Sequence, residues 1–514
     1  MLKGIGVKNF RSFSKKSFIE LKPITIFVGK NSSGKSSFLR TFPLLRQSTE
    51  ENKTGPILWY GRYVDYGDFS EVISRNSENE AIEFFFNLQI NSENTSKSQK
   101  KPRVEKSSKE LFDVDINIHM ISGKDKKTKT KKISISSLEL DYSITIDDEN
   151  NAELTIKYNG EIYRDSKLTI HGTDRFIPLL ELNKKENLII YHYLHFQKYI
   201  DAIKMDHGIS GSIDILKTHF DAKKKEKLTA WIENNRINGT KNAFISKNYH
   251  NPAKGNSEIN ESDEVIFTLT RNINHINESL NNILRNEFTS VRYIAPIRAT
   301  SERFYRFQDL QVNEIDHTGS NLAMILNSLK SPSRSKLEKW MLANFGFSVK
   351  ARQVGAHFAV YITSENEKEE FNISDMGFGY SQVLPIIMAL WLEMENNNSI
   401  HGNKKTIIFT IEQPELHLHP AYQYKLAETF SKIIAKAKGS GINLKIIFET
   451  HSQNMIEAFG EAIENPSIKI DKDDISILIF NKEDGGETYI EKSSFDNNGV
   501  LINWPIGFFS GRNQ

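Results

Sequence analysis

One octapeptide constrains this chain more than any other feature: Gly29-Lys30-Asn31-Ser32-Ser33-Gly34-Lys35-Ser36. It follows Ile24-Thr25-Ile26-Phe27-Val28, a run apolar almost throughout, as a buried parallel strand should be. The helix-like Ser37-Phe38-Leu39-Arg40 comes next. A buried strand, a turn of the form Gly-x4-Gly-Lys-Ser and a helix start together make a P-loop. Its glycines let backbone N–H groups surround phosphate oxygens, and the helix N-terminus adds its dipole. Lys35 would reach the β- and γ-phosphates, and the Ser36 hydroxyl would bind Mg²⁺. The segment Gly29 to Ser37 is thus expected to cradle ATP. Pro43 sits early in the following helix and should kink or shorten it.

A P-loop needs a carboxylate at the end of a neighbouring strand to hold the magnesium shell. Thr406 to Ile411 reads as a buried strand and ends in Glu412-Gln413-Pro414-Glu415, at the edge where open parallel sheets bind ligands. Ser36 and Glu412 are therefore the expected metal-side pair. Leu416-His417-Leu418-His419-Pro420 follows, then a helix from about Ala421 to Lys436. Leu444 to Phe448 reads as a further buried strand and leads into Glu449-Thr450-His451-Ser452. His451 could sense the γ-phosphate, or simply cap a strand. His417 and His419, at i and i+2, suit a strand better than a helix face, and no carboxylate–histidine spacing of a hydrolytic zinc site occurs. Metal other than Mg²⁺ is not expected. Gly377-x-Gly379-x-Ser381 precedes a long apolar helix and reads either as a second anion-binding helix start or as an ordinary glycine turn.

The remaining sequence bounds the class. With 67 basic against 65 acidic residues the net charge is +2, so any nucleic-acid contact must come from local patches. Two such patches exist, at Lys97–Lys109 and Lys124–Lys132, and both read as exposed loops or hairpin tips. There is no cysteine, which excludes disulfides, thiol catalysis, zinc ribbons and iron–sulfur clusters. No apolar run reaches the ~20 residues of a bilayer span, and the N-terminus has no signal-peptide core, so a soluble cytoplasmic protein is the expectation. Residues 81–90 and 111–158 alternate like antiparallel sheet. From about 173 to 290 the pattern turns helical and polar, with LLELNKKENLIIYHYLHFQKYI as its clearest helix.

Taken as a set, Gly29–Ser36, Glu412–Pro420 and Glu449–Ser452 resemble the P-loop, Walker B, D-loop and switch-histidine segments of ABC-type ATPase heads. Asn9-Phe10-Arg11-Ser12-Phe13 is similar to the opening of the RecF, SMC and OLD group of heads. Asp375-Met376-Gly377-Phe378-Gly379-Tyr380-Ser381-Gln382 resembles a variant signature motif. Tyr293-Ile294-Ala295-Pro296-Ile297-Arg298 and Trp504-Pro505-Ile506-Gly507-Phe508-Phe509 also have counterparts in a subgroup. The resemblance implies an α/β fold, an ABC-type P-loop NTPase head with a mixed sheet and a large α+β insertion. It places an ATPase lobe at 1–90, the insertion at 91–289, and a second lobe at 290–514. It also implies a homodimer or higher oligomer in which Gly377, Gly379 and Ser381 of one copy touch the γ-phosphate held by the other. Glu412, Gln413, Glu415 and His451 become the expected catalytic group.

Heads of this kind occur as ATPase subunits of bacterial anti-phage systems, Septu and retron-associated ones among them. There an HNH nuclease is a separate chain and a reverse transcriptase with its RNA/DNA can be a further partner. Two departures matter. Gln413 stands where such heads usually carry the glutamate that polarises water, and an amide orients water but cannot accept its proton. Weak hydrolysis is therefore expected, with Glu415 or Glu449 as alternative bases. The Q-loop glutamine is not evident, with Gln47 and Asp65–Phe69 as its two candidates. Two other functions stay open: a RecF-like DNA-repair ATPase, and a toxin whose nuclease centre, at His192, His195 and Asp206, lies in the insertion.

Overall fold

The structure, a computed structural model, describes residues 1–75, 80–91, 111–138, 140–182, 261–296, 298, 301–306, 314–355, 357–365, 369–397, 406–483 and 486–505. The P-loop strand, Ile24–Gly29, runs through the middle of a seven-stranded sheet. The order is Val291–Ile294, Thr406–Glu412, Asn443–Glu449, Ile24–Gly29, Ile475–Lys482, Thr488–Phe495 and Leu501–Ile502. The first five strands are parallel and the last two antiparallel. The apolar character of the P-loop strand follows from burial on both faces. Ile24, Ile26 and Val28 enter one core, and Phe27 enters the other. This is the mixed α/β nucleotide-binding fold the sequence implies.

Strand order corrects one expectation. The strand ending in Glu412 is not the neighbour of the P-loop strand, because Asn443–Glu449 lies between them. Hydrophobic patterning marks a buried parallel strand but carries no information about which such strand lies beside it. The register sets Glu412 opposite Glu449 at the carboxyl edge.

The P-loop helix is short. It spans Lys35–Leu39, and a second helix, Thr41–Glu50, starts after Arg40. Pro43 has no N–H to give the Leu39 carbonyl, which accounts for the break. Further along, the helix Phe378–Asn397 carries Pro385 in its interior. Gly319 fits against that proline. It has φ +76°, and a Cβ there would lie 2.4 Å from the proline Cγ.

A second, nine-stranded antiparallel sheet joins Leu2–Lys8, Ser17–Glu20 and Ile82–Asn91 to the strands between Leu111 and Leu182. The first lobe and the described part of the expected insertion therefore share one sheet across residue 90. Alternation is strict where the sequence suggests it: Phe112, Val114, Ile116, Ile118 and Met120 are buried. The long helix Glu261–Thr289 packs against this sheet.

The Lys124–Lys132 patch is a hairpin tip that runs on into the strand Thr128–Ser137. The Lys97–Lys109 patch and His192, His195 and Asp206 lie outside the described residues. Leu179–Leu182, expected to open a helix, is an edge strand instead. One edge of it pairs with the strand Glu161–His171, and the long helix covers the other. Asn274 accepts from the Leu180 N–H at 2.8 Å and donates to its carbonyl at 2.7 Å, and Asn281 does the same for Ile177 at 3.1 and 2.6 Å. These amides act as a surrogate neighbouring strand and hold the segment extended.

Candidate nucleotide site

The P-loop turn needs its glycines. Gly29 has φ +147°, and a Cβ there would lie 2.3 Å from the Phe480 carbonyl oxygen. Gly34 has φ +96°, and its Cβ would lie 2.8 Å from Ser12 Oγ and 2.9 Å from Phe13 Cζ. The N-terminal Asn9–Phe13 motif thus braces the loop. Phe10 and Phe13 exchange backbone hydrogen bonds of 3.1 and 2.9 Å, and both rings are fully buried. Thr488 completes the brace: its N–H donates to the Ser12 carbonyl at 2.9 Å, and its hydroxyl lies 3.1 Å from the Ser33 carbonyl oxygen.

Lys35 is buried and folds back over the loop, donating to the carbonyls of Gly29 at 3.0 Å and Lys30 at 2.8 Å. Burial lowers its pKa, against the pull of Glu449 and Glu415. Ser36 donates to Glu449, whose two carboxylate oxygens lie at 2.9 and 2.7 Å. Burial, then the adjacent Glu412, pushes the Glu449 carboxyl up to about 7.

Glu412, expected to face Ser36, has other partners. Arg40 grips it with two hydrogen bonds of 2.7 Å, and the Tyr293 hydroxyl donates to it at 2.6 Å. The Arg40–Glu412 hydrogen bonds, ahead of the charge of Glu412 itself, raise the Arg40 pKa further above its ordinary value, against the opposing effect of burial. Arg298 is 2% exposed and donates to the carbonyls of Glu412 at 2.8 Å and Gln413 at 3.4 Å. Burial lowers its pKa to about 10.

Gln413 stands in the left-handed region at φ +42°, and its N–H donates to the Glu449 carbonyl at 3.1 Å. Glu415 accepts from the His451 N–H at 2.8 Å, and burial raises its pKa. That bond ties the turn after Glu412 to the turn after Glu449. Desolvation and the Lys35 charge lower the His451 pKa, so its ring favours the neutral form. His419 caps the helix Pro420–Gly439 by accepting from Ala421 N–H at 3.2 Å.

Gly379 packs against the turn at His417. A Cβ on it would lie 3.0 Å from the His417 carbonyl oxygen, whereas one on Gly377 would meet open space. The exposed Phe378 ring meets His417 edge-on at 5.0 Å. Ser381 is buried and donates to the Phe378 carbonyl at 2.7 Å. The Gly377–Ser381 turn and the Glu412–Pro420 turn are therefore adjacent within one chain.

Neither Q-loop candidate supplies a free amide. Gln47 is fully buried, donates to the carbonyls of Leu58 and Val64, and accepts from the N–H groups of Tyr63 and Val64. Asp68 caps the short helix Phe69–Val72. Residues that single motifs do not announce hold the site together: Arg40, Thr488 and Arg298. Arg40 and Thr488 lie outside every motif, and Arg298 closes a segment notable only by resemblance.

These groups fit a triphosphate with Mg²⁺. The loop is shaped by glycines no side chain could replace, Ser33 Oγ is buried there with no hydrogen-bond partner among the described residues, and Ser36 and the strand-end carboxylates are hard oxygen donors. Bound Mg²⁺ would neutralise phosphate charge. Lys35 would turn from its carbonyls to the phosphates, and the turn that carries Gln413 and Glu415 lies at the same sheet edge, bonded to Glu449 and His451.

Fold and site together define a P-loop ATPase. Residues 1–456 match the family model AAA_15, described as an AAA ATPase domain, and the chain belongs to that family. Among curated proteins it is similar to Endonuclease GajA of Bacillus cereus (strain HuB5-5). The two are 24% identical over 246 residues, covering 42% of this chain and 35% of the relative. The chain thus spans about a third of the length of the curated relative it matches. Among solved structures it aligns with the SMC head domain from Thermotoga maritima, at TM-score 0.36 and 9% identity, over 96% of this chain and 98% of that one. An Smc head with coiled coil and joint from Pyrococcus yayanosii gives TM-score 0.36 and 10% identity, over 97% and 98%. Among the described residues no helix is long and apolar enough to cross a membrane.

Proposed function

We propose that this ATPase is a slowly hydrolysing regulatory subunit of a cytoplasmic anti-phage defence complex. ATP and Mg²⁺ close two copies head to head, and the closed state controls a nuclease carried by a partner. The observation that carries this reading is a complete P-loop, with Lys35 and Ser36 in place, combined with an amide at Gln413. A site built to hold ATP but carrying an amide at the position after Glu412 suits a clamp better than a motor. The turn that carries Gly377, Gly379 and Ser381, open at Gly377 and anchored by the buried Ser381, would present the surface that meets the second copy's nucleotide. Similarity to a relative named as an endonuclease supports a link to nucleic-acid cleavage. An HNH nuclease is the proposed effector, and a reverse transcriptase the proposed third component. A clamp of this kind acts only if ATP binds one dimer arrangement better than the other.

The Lys124–Lys132 hairpin supports a second reading, a RecF-like ATPase that binds DNA through this tip. One experiment separates them. Sedimentation of the purified chain with Mg²⁺ and a non-hydrolysable ATP analogue should show dimers that Lys35→Ala abolishes. Binding to DNA ends should be weak. ATP-dependent, salt-sensitive DNA binding without dimers would favour the second reading, and an empty P-loop at millimolar nucleotide would refute both.

A further inference from the structure

We propose that Glu449, not Glu412, is the carboxylate that completes the Mg²⁺ shell beside Ser36, and that Glu412 is a positioning residue. The assignment rests on the ATP–Mg²⁺ reading above and sharpens it.

The argument is one of lone pairs and charge. A carboxylate offers about four acceptor sites. Glu412 commits two to the Arg40 guanidinium and a third to Tyr293, and Arg40 neutralises its charge. Both Glu412 and Glu449 are 1% exposed, so solvent compensates neither. Glu449 has only the Ser36 hydroxyl as its side-chain partner among the described residues, and that neutral donor faces both of its oxygens. A buried carboxylate without a paired cation is costly, and a divalent ion bound between it and the hydroxyl removes that cost. Ser36 is the residue a P-loop dedicates to Mg²⁺. Mg²⁺ takes one or two carboxylates and fills its remaining positions with water and phosphate oxygens, so one such partner suffices.

Topology supplies the route. The strand carrying Glu449 lies directly beside the P-loop strand, with Glu449 paired to Phe27, while the strand carrying Glu412 is one place further out. Glu412 has a different use. It joins Arg40, at the break in the P-loop helix, to Tyr293 on the edge strand, so three elements meet on its carboxylate.

The test is calorimetric titration of the full chain with a non-hydrolysable ATP analogue, with and without Mg²⁺. Wild type should bind more tightly with Mg²⁺. In Glu449→Gln, which keeps an acceptor for Ser36, affinity in the presence of Mg²⁺ should fall by about tenfold or more, while Mg²⁺-free affinity should not fall, because a negative charge beside the phosphates is lost. Glu412→Gln should keep the Mg²⁺ gain and lose thermal stability. Loss of the gain in Glu412→Gln, or retention of it in Glu449→Gln, overturns the assignment, and the Glu449 variant alone decides if the other does not fold. If wild type itself gains nothing from Mg²⁺, it is the ATP–Mg²⁺ reading that has failed.

Discussion

Arg40 and Glu412, separated by most of the chain, meet in a two-pronged ion pair with both hydrogen bonds at 2.7 Å. The carboxylate is buried and the guanidinium partly exposed. Removing one partner of such a pair leaves a buried charge uncompensated. Arg40→Ala should therefore cost about 3 kcal/mol in denaturant unfolding of the nucleotide-free protein. Arg40→Lys, which cannot make the two-pronged contact, should recover only part of this. A loss in Arg40→Ala no larger than that of an exposed surface pair would show that the pair holds nothing.

Gly34 offers a sharper structural test. Its φ of +96° and its closeness to Ser12 and Phe13 leave no room for a methyl group. Gly34→Ala should destabilise the chain by about 1–3 kcal/mol and weaken nucleotide binding as well, because the same residue shapes the phosphate cradle. Trimming the facing side chain with Ser12→Ala should relieve part of the crowding but none of the backbone strain. Full recovery of binding and stability in the double variant would mean that the left-handed backbone is not what demands glycine.

How far the sequence discloses this site depends on the kind of information each residue carries. Gly29, Gly34, Lys35 and Ser36 are legible because a phosphate cradle demands those residue types at that spacing. Glu412 and Glu449 are legible as strand ends, but their roles are not. Which of two similar apolar strands lies beside the P-loop is a property of sheet order, and periodicity is blind to it. Arg40 and Arg298 are invisible as single basic residues, since only tertiary contact turns them from surface charges into buried partners. Leu179–Leu182 was hidden for a related reason. Its extended form comes from pairing with the strand Glu161–His171 on one edge and from Asn274, nearly a hundred residues away, on the other, against a local pattern that favours helix.

Gln413 bears on rate. Its N–H is fixed on the Glu449 carbonyl, so the side chain starts from a held backbone beside the phosphate site. A carboxylate at this position could accept the proton of attacking water, and general-base catalysis contributes about a hundredfold or more. Gln413→Glu should raise ATP turnover by at least about tenfold, measured as phosphate release under saturating Mg²⁺-ATP. Unchanged or slower turnover would mean that another residue, Glu415 foremost, already serves as base.

Glu449 also makes stability depend on pH in a way that can be signed. Its folded carboxyl titrates near 7, above the ordinary value of 4.5, because of burial and then Glu412. The folded, nucleotide-free chain therefore holds this proton more tightly than the unfolded chain. The resulting stabilisation is full below about 4.5 and is lost as pH rises through about 7. Glu449→Gln stays neutral throughout and escapes that loss. Its melting temperature should exceed that of wild type above pH 7, and the margin should narrow steadily as the pH falls toward 4.5. Mg²⁺-ATP should act in the opposite sense, stabilising wild type at pH 8 more than the variant, because a bound cation favours the ionised carboxylate. Scanning calorimetry of both proteins across this range, with and without nucleotide, checks the two signs together. A margin that does not change with pH would show that Glu449 is already ionised in the empty site.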